Sequence, residues 1–445
     1  MDDYYKFLDS KRQLSGEYGF NPVYMPDQAF DFQKSLIEWA CVKGRSAIFA
    51  DCGLGKSLMQ LAWAQNVVQK TNKNVLILTP LAVSHQTVKE GAKFGIECAK
   101  SSDGSVKSKI TVTNYERLHY FDSSNFVGVV CDESSILKNY SGKIRSQVTE
   151  FLRPVKYRLL CTATAAPNDW MELGTSSEAL GYLKRVEMLA NYFSHDGGDT
   201  SKWRIKGHAA GVRFWEWVSS WAKAVRRPSD LGYSDEGYKL TLLKVRSHVV
   251  ESTNKLDGFL FSVPAVTLDE QREERKSTIE SRCEMVKTLT EAQNQSIAWC
   301  HLNSESEYLK KIIPGSVEVK GSSTEEEKEE AFENFEAGKI KVLITKPSIA
   351  GFGLNWQNCN HMTFFPSHSF EQWYQSIRRC YRFGQKKDVI VDVVSSESES
   401  NVYDNLQRKQ RQAVEMFDKM IEHMSPKKRD SKTTKKESIQ LPSFV

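Results

Sequence analysis

Several things are scarce in this sequence of 445 residues, and each scarcity excludes a class of protein. No run comes near the roughly 18 consecutive apolar residues that a membrane-spanning helix needs. The opening Met1-Asp2-Asp3 is acidic and no apolar stretch follows it, which argues against a secretory leader. There is no self-similarity at the roughly 20–50-residue periods of solenoids. The nine cysteines are odd in number, and none pairs with another at zinc-ligand spacing. Cys131 and Cys161 lie inside apolar runs, as reduced core residues of a cytoplasmic protein do. Cys300-His301 is an adjacent Cys/His pair with no second pair nearby, too little for a metal site.

Net charge is also scarce once its position is considered. The formal total is +5. Residues 425–445 hold Lys427, Lys428, Arg429, Lys432, Lys435 and Lys436 against Asp430 and Glu437, a balance of +4. Residues 1–424 therefore carry +1, and bulk charge gives no argument for a polyanionic partner. The tail's Lys, Ser and Thr content predicts disorder.

What is present is a repeated alternation. Short β-rich runs at 46–50, 74–80, 109–113, 126–132 and 157–162 alternate with helical patterns. A second set lies at 296–301, 316–320, 341–345, 361–365 and 389–394. Several runs are continuously apolar, as strands buried on both faces of a parallel sheet are. The expected fold class is α/β: two tandem parallel-sheet lobes, a helical insertion between them and a disordered basic C-terminal tail. The expected boundaries are 1–174, 175–280, 281–424 and 425–445. In the middle stretch Phe214, Trp217 and Trp221 fall at helical spacing, as a helical core does. A base-stacking platform is the alternative.

Chemistry concentrates at three places. Asp51-Cys52-Gly53-Leu54-Gly55-Lys56-Ser57 follows an apolar strand and opens a helical pattern. Gly53 and Gly55 allow a turn whose N–H groups, with that of Leu54, cradle phosphate oxygens. Lys56 reaches the β- and γ-phosphates, and the Ser57 hydroxyl ligates magnesium. Asp132-Glu133 ends a buried strand, where a carboxylate faces the same crevice. Asp132 suits Mg2+ and Glu133 suits the attacking water. Far downstream, Arg379 and Arg382 stand three apart in a segment read as helical, so that both would share one face and grip phosphate.

With these residues in view, the sequence resembles a superfamily 2 helicase of the Swi/Snf-type DNA translocase group, over about 20–175 and 280–400. Gln33, in Phe30-Asp31-Phe32-Gln33, resembles the glutamine that reads adenine. Thr79-Pro80-Leu81 and Asn114-Tyr115 resemble strand-end motifs that hold nucleic-acid backbone. Thr162-Ala163-Thr164 resembles the motif linking hydrolysis to movement. Gly351-Phe352-Gly353-Leu354-Asn355 resembles a second-lobe motif, which brings Gly353 to the nucleotide. Arg382-Phe383-Gly384-Gln385 is similar to the group's Arg-x-Gly-Gln signature. Ser135 departs from the family's usual histidine, and Thr-Ala-Thr from its Thr-Gly-Thr-Pro. The short chain and the segment Lys202–His208 look like compact phage- and prophage-encoded members.

The resemblance implies that the two lobes are RecA-like. It implies ATP and Mg2+ held by Lys56, Ser57 and Asp132, with Arg379 and Arg382 completing the site when the lobes close. It implies a DNA partner, duplex and contacted without regard to sequence. A strand-separating DNA or RNA helicase is one alternative, and a non-motor ATP-dependent recruitment switch is another. Gln440, Leu441 and Phe444 in the tail resemble the short peptides that dock on the bacterial sliding clamp.

Overall fold

A computed structural model describes residues 18–139, 141–196, 199–250, 276–351 and 354–424. The chain divides into two units. One gathers the described residues up to Asp235 together with those from Gln412 onward, and the other runs from Glu236 to Arg411. Among the described residues no helix is long and apolar enough to cross a membrane.

The first unit is built on a seven-stranded sheet. Its strands are β1 (Arg45–Ala50), β2 (Asn74–Thr79), β3 (Ala99–Lys100), β4 (Ile110–Asn114), β5 (Phe126–Asp132), β6 (Tyr157–Thr162) and β9 (Ala222–Val225). The order is β3-β4-β2-β5-β6-β1-β9 and every pairing is parallel. Helices cover both faces, so β1, β2 and β6 bury nearly every residue. A separate antiparallel hairpin joins β7 (Phe193–Asp196) to β8 (Asp199–Ile205). Asn66 braces the entering chain: its amide accepts from the Val23 and Tyr24 N–H groups and donates to the Tyr24 carbonyl.

The second unit holds a six-stranded parallel sheet ordered β10-β15-β14-β11-β13-β12. Its strands are β10 (Leu243–Val250), β11 (Ser296–Trp299), β12 (Val317–Glu318), β13 (Val342–Thr345), β14 (His361–Phe364) and β15 (Val389–Ser396). Arg282 and Glu305, both buried, pair at 2.8 Å and tie helix Ile279–Glu291 to the start of helix Asn303–Ile312.

All ten expected strands are present, and the two parallel sheets realise the expected α/β fold class. In the stretch 175–280 the described residues do not form a helical unit of their own. Its helices Arg185–Tyr192 and His208–Trp221 pack into the core of the first unit, and β9 joins that unit's sheet. β10 instead pairs with β15 in the second sheet. Phe214, Trp217 and Trp221 are fully buried among Trp215, Tyr192 and Phe49, so they are core rather than a stacking surface. The last described helix, Ser400–Met424, buries Met416, Phe417 and Met420 in the same first-unit core. The basic tail and its Gln440, Leu441 and Phe444 lie outside the described residues.

Candidate nucleotide site

The carboxyl edge of the first sheet collects the site. β5, β6 and β1 are neighbours, with Asp132 opposite Cys161 and Thr162 opposite Phe49. Asp132 and Glu133 at the end of β5, Thr162 at the end of β6 and the loop after β1 therefore share one edge.

The loop needs its glycines. Gly53 and Gly55 have φ of 88° and 79°, in the left-handed region that side chains disfavour. At Gly55 a Cβ would also lie 2.3 Å from Gln33 Nε2. Gln33 is buried against the loop: its amide donates to the Leu54 carbonyl at 2.8 Å and accepts from the Phe30 N–H at 2.9 Å. One N–H and one lone pair of that amide remain for a ligand edge. The Lys56 ammonium folds onto the loop, donating to the Ala50 carbonyl at 2.9 Å. The Asp51 carboxylate accepts from the Cys52 N–H at 2.6 Å. On the far side, the Asp51 N–H donates to Val225 of β9, so this edge strand props the loop. Ser57 is half-buried on the first turn of helix Lys56–Thr71.

Asp132 is buried, and its carboxylate accepts from Gln60 Nε2 at 2.6 Å. Burial, with the neighbouring Glu133 charge, pushes its carboxyl up to about 7, against the opposing pull of Gln60 and Lys56. Glu133 has φ of 47°, a conformation that costs a non-glycine residue about 1 kcal/mol or more. Its side chain accepts from the Thr162 hydroxyl at 3.1 Å. Two adjacent buried carboxylates suit a divalent cation. Among the described residues no group of three or more His, Cys, Asp or Glu is placed to hold a metal.

The residues expected at nucleic-acid backbone sit differently. Thr79, Asn114 and Tyr115 are buried. Thr79 donates to the Thr113 carbonyl, Asn114 to the Pro80 and Leu81 carbonyls, and Tyr115 to the Asp132 carbonyl at 2.6 Å. These strand ends are covered on both faces, so the side chains shape the turns instead of reaching outward. Pro80 is half-buried and Leu81 is exposed.

The arginine segment also departs from expectation. Helix Phe370–Ile377 ends before Arg379 and Arg382, which therefore do not share a helix face. At this end the Arg379 Nε donates to the Gln375 carbonyl, and the Arg379 backbone N–H donates to the Ser376 carbonyl. Both guanidiniums nonetheless converge, donating to the Leu354 carbonyl at 2.8 and 3.3 Å. Gln385 locks the following loop through the carbonyls of Gln357, Cys359 and Cys380. Gly353 lies outside the described residues.

Sequence reasoning missed Gln60, the β9 support of the loop and the Tyr115 bond to Asp132. The one signal for Gln60 was a polar residue one helical turn after Lys56, among apolar neighbours.

No curated protein sequence matches the chain. A solved structure with a similar course is the Sulfolobus solfataricus SWI2/SNF2 ATPase core in complex with dsDNA. It is 17% identical, with 91% of this chain and 99% of that chain covered and a TM-score of 0.44. Within the second unit, residues 277–384 match the family described as the helicase conserved C-terminal domain.

Proposed function

We propose that the protein is an ATP-driven nucleic-acid motor of the superfamily 2 helicase type that translocates on duplex DNA. The observation that carries this reading is one edge of the first sheet. There a phosphate-type loop with Lys56, a buried Asp132-Glu133 pair and the Thr162 hydroxyl meet. The helicase C-terminal match in the second unit supports it independently.

In this reading the N–H groups of residues 53–55 and the Lys56 ammonium bind the phosphates. Gln33 answers the adenine edge. Ser57 and Asp132 would hold Mg2+, which would supply charge to the phosphate oxygens. Glu133, steadied by Thr162, orients the attacking water and takes its proton. Arg379 and Arg382 are proposed as the second unit's phosphate-gripping arginines. DNA contact is to the phosphate backbone. The tail peptide around Leu441 and Phe444 is proposed as a tether to a sliding clamp, checked by clamp pull-down against Phe444→Ala.

The test is the ATPase rate with duplex, single-stranded and forked DNA and with RNA. Hydrolysis stimulated by duplex DNA, with triplex displacement but no unwinding of a fork, is expected. Fork unwinding would favour a strand-separating helicase. Full hydrolysis in Lys56→Ala would remove the proposed site.

A further inference from the structure

Gln60 stands out in its surroundings. It is almost wholly buried on a helix whose neighbouring positions are Leu58, Met59, Leu61, Ala62 and Trp63. An apolar residue would fit there at no polar cost, whereas a buried amide without partners is unfavourable. Its amide is instead spent at the end of the sheet. Nε2 donates to Asp132 Oδ1 at 2.6 Å. Gln60 lies four residues after Lys56, so the two project from the same side of the helix one turn apart. Both act on the same carboxylate. Asp132 is gripped elsewhere too: Tyr115 donates to its carbonyl at 2.6 Å, and the Glu133 N–H bonds its side chain.

We infer that Gln60 is a positioning residue, one that holds a single Asp132 oxygen so that the rest of the carboxylate is presented to the divalent cation. A carboxylate offers about four acceptor sites. Gln60 and the Glu133 N–H take two of them, and the remainder are fixed in direction because the amide is rigidly packed. The helix that begins at the phosphate loop thereby also sets the metal carboxylate, so loop and metal ligand are held by one rigid rod. This rests on the nucleotide-site reading above.

The test uses the full chain and a fluorescent ATP analogue titrated with Mg2+. Gln60→Met keeps the length and removes the donor. It should raise the free Mg2+ needed for half-maximal tightening by roughly ten- to a hundred-fold. Binding of the analogue in EDTA should stay at the wild-type level, and kcat should recover toward wild type at saturating Mg2+. Gln60→Asn, too short to reach Asp132, should behave alike and decides the matter if Gln60→Met does not fold. Wild-type Mg2+ dependence in the folded variants overturns the role of Gln60. A wild-type protein that binds the analogue without any response to Mg2+ overturns the nucleotide-site reading instead.

Discussion

Each sheet holds one buried aspartate among its strands, and the two are treated in opposite ways. Asp392 on β15 is flanked on both sides. His361 Nε2 from β14 and His248 Nε2 from β10 each lie 2.9 Å from one of its oxygens, and Ser296 continues the chain to His361 at 2.8 Å. These partners outweigh burial and hold its carboxyl below the usual value. Asp132 on β5 has the Gln60 amide, the Glu133 N–H and the Lys56 charge on its side, but burial and the neighbouring Glu133 carboxylate prevail and push its carboxyl up to about 7. One aspartate is satisfied by the protein and stitches four strands together. The other is left under-satisfied at a sheet edge, beside a strained Glu133. A buried carboxylate satisfied on both sides is structural, and the less fully satisfied one is the proposed Mg2+ ligand.

The contrast can be broken by exchange. Asp132→Asn should reduce ATP hydrolysis to background, whereas Asp392→Asn should leave the rate per folded molecule near wild type, both measured with saturating duplex DNA. Equal losses would erase the distinction. Next in size, Asp392→Ala should cost roughly 3 kcal/mol, because two hydrogen bonds to a charged group are lost and the buried His361 imidazole is stranded. Denaturant unfolding checks this.

A third comparison uses pH. The folded value of Asp132 is raised, so the folded chain binds the extra proton and stability falls as pH rises from the ordinary carboxylate value to about 7. In EDTA, Asp132→Asn should therefore melt higher than wild type at pH 8, and the gap should close at pH 4. The folded value of Asp392 is lowered, so its contribution is present above the ordinary carboxylate value and is lost as pH falls through the folded one. Smallest of all, Glu133→Gly should gain about 1 kcal/mol by relieving a left-handed backbone, while hydrolysis disappears.

The sequence displayed the sheets well because parallel strands buried on both faces leave continuous apolar runs, such as Val75–Leu78 and Val129–Cys131. β9 was hidden because Ala222–Val225 follows helix His208–Trp221 with no turn residue between them. β10 was hidden because it is an edge strand whose residues are mostly half-buried or exposed, so its apolar pattern is diluted. In the site, Lys56, Asp132 and Glu133 were legible because local spacing carries the chemistry. Gln60 was not, since its partner is 72 residues away in sequence and is met only by packing a helix on a strand. The end of the arginine helix was not legible because spacing does not display a side-chain bond such as that of Arg379 to the Gln375 carbonyl.

The first unit is also closed late. Met416, Phe417 and Met420 complete its core, Arg226 pairs with Asp418 at 2.6 Å and Trp170 donates to the Gln412 carbonyl. As the chain leaves the ribosome, all of residues 236–411 emerge before this final piece. A nascent first unit therefore waits with part of its apolar core uncovered while the rest of the protein is made. Stalled or truncated chains ending before 412 are the species most exposed to aggregation and to chaperone capture.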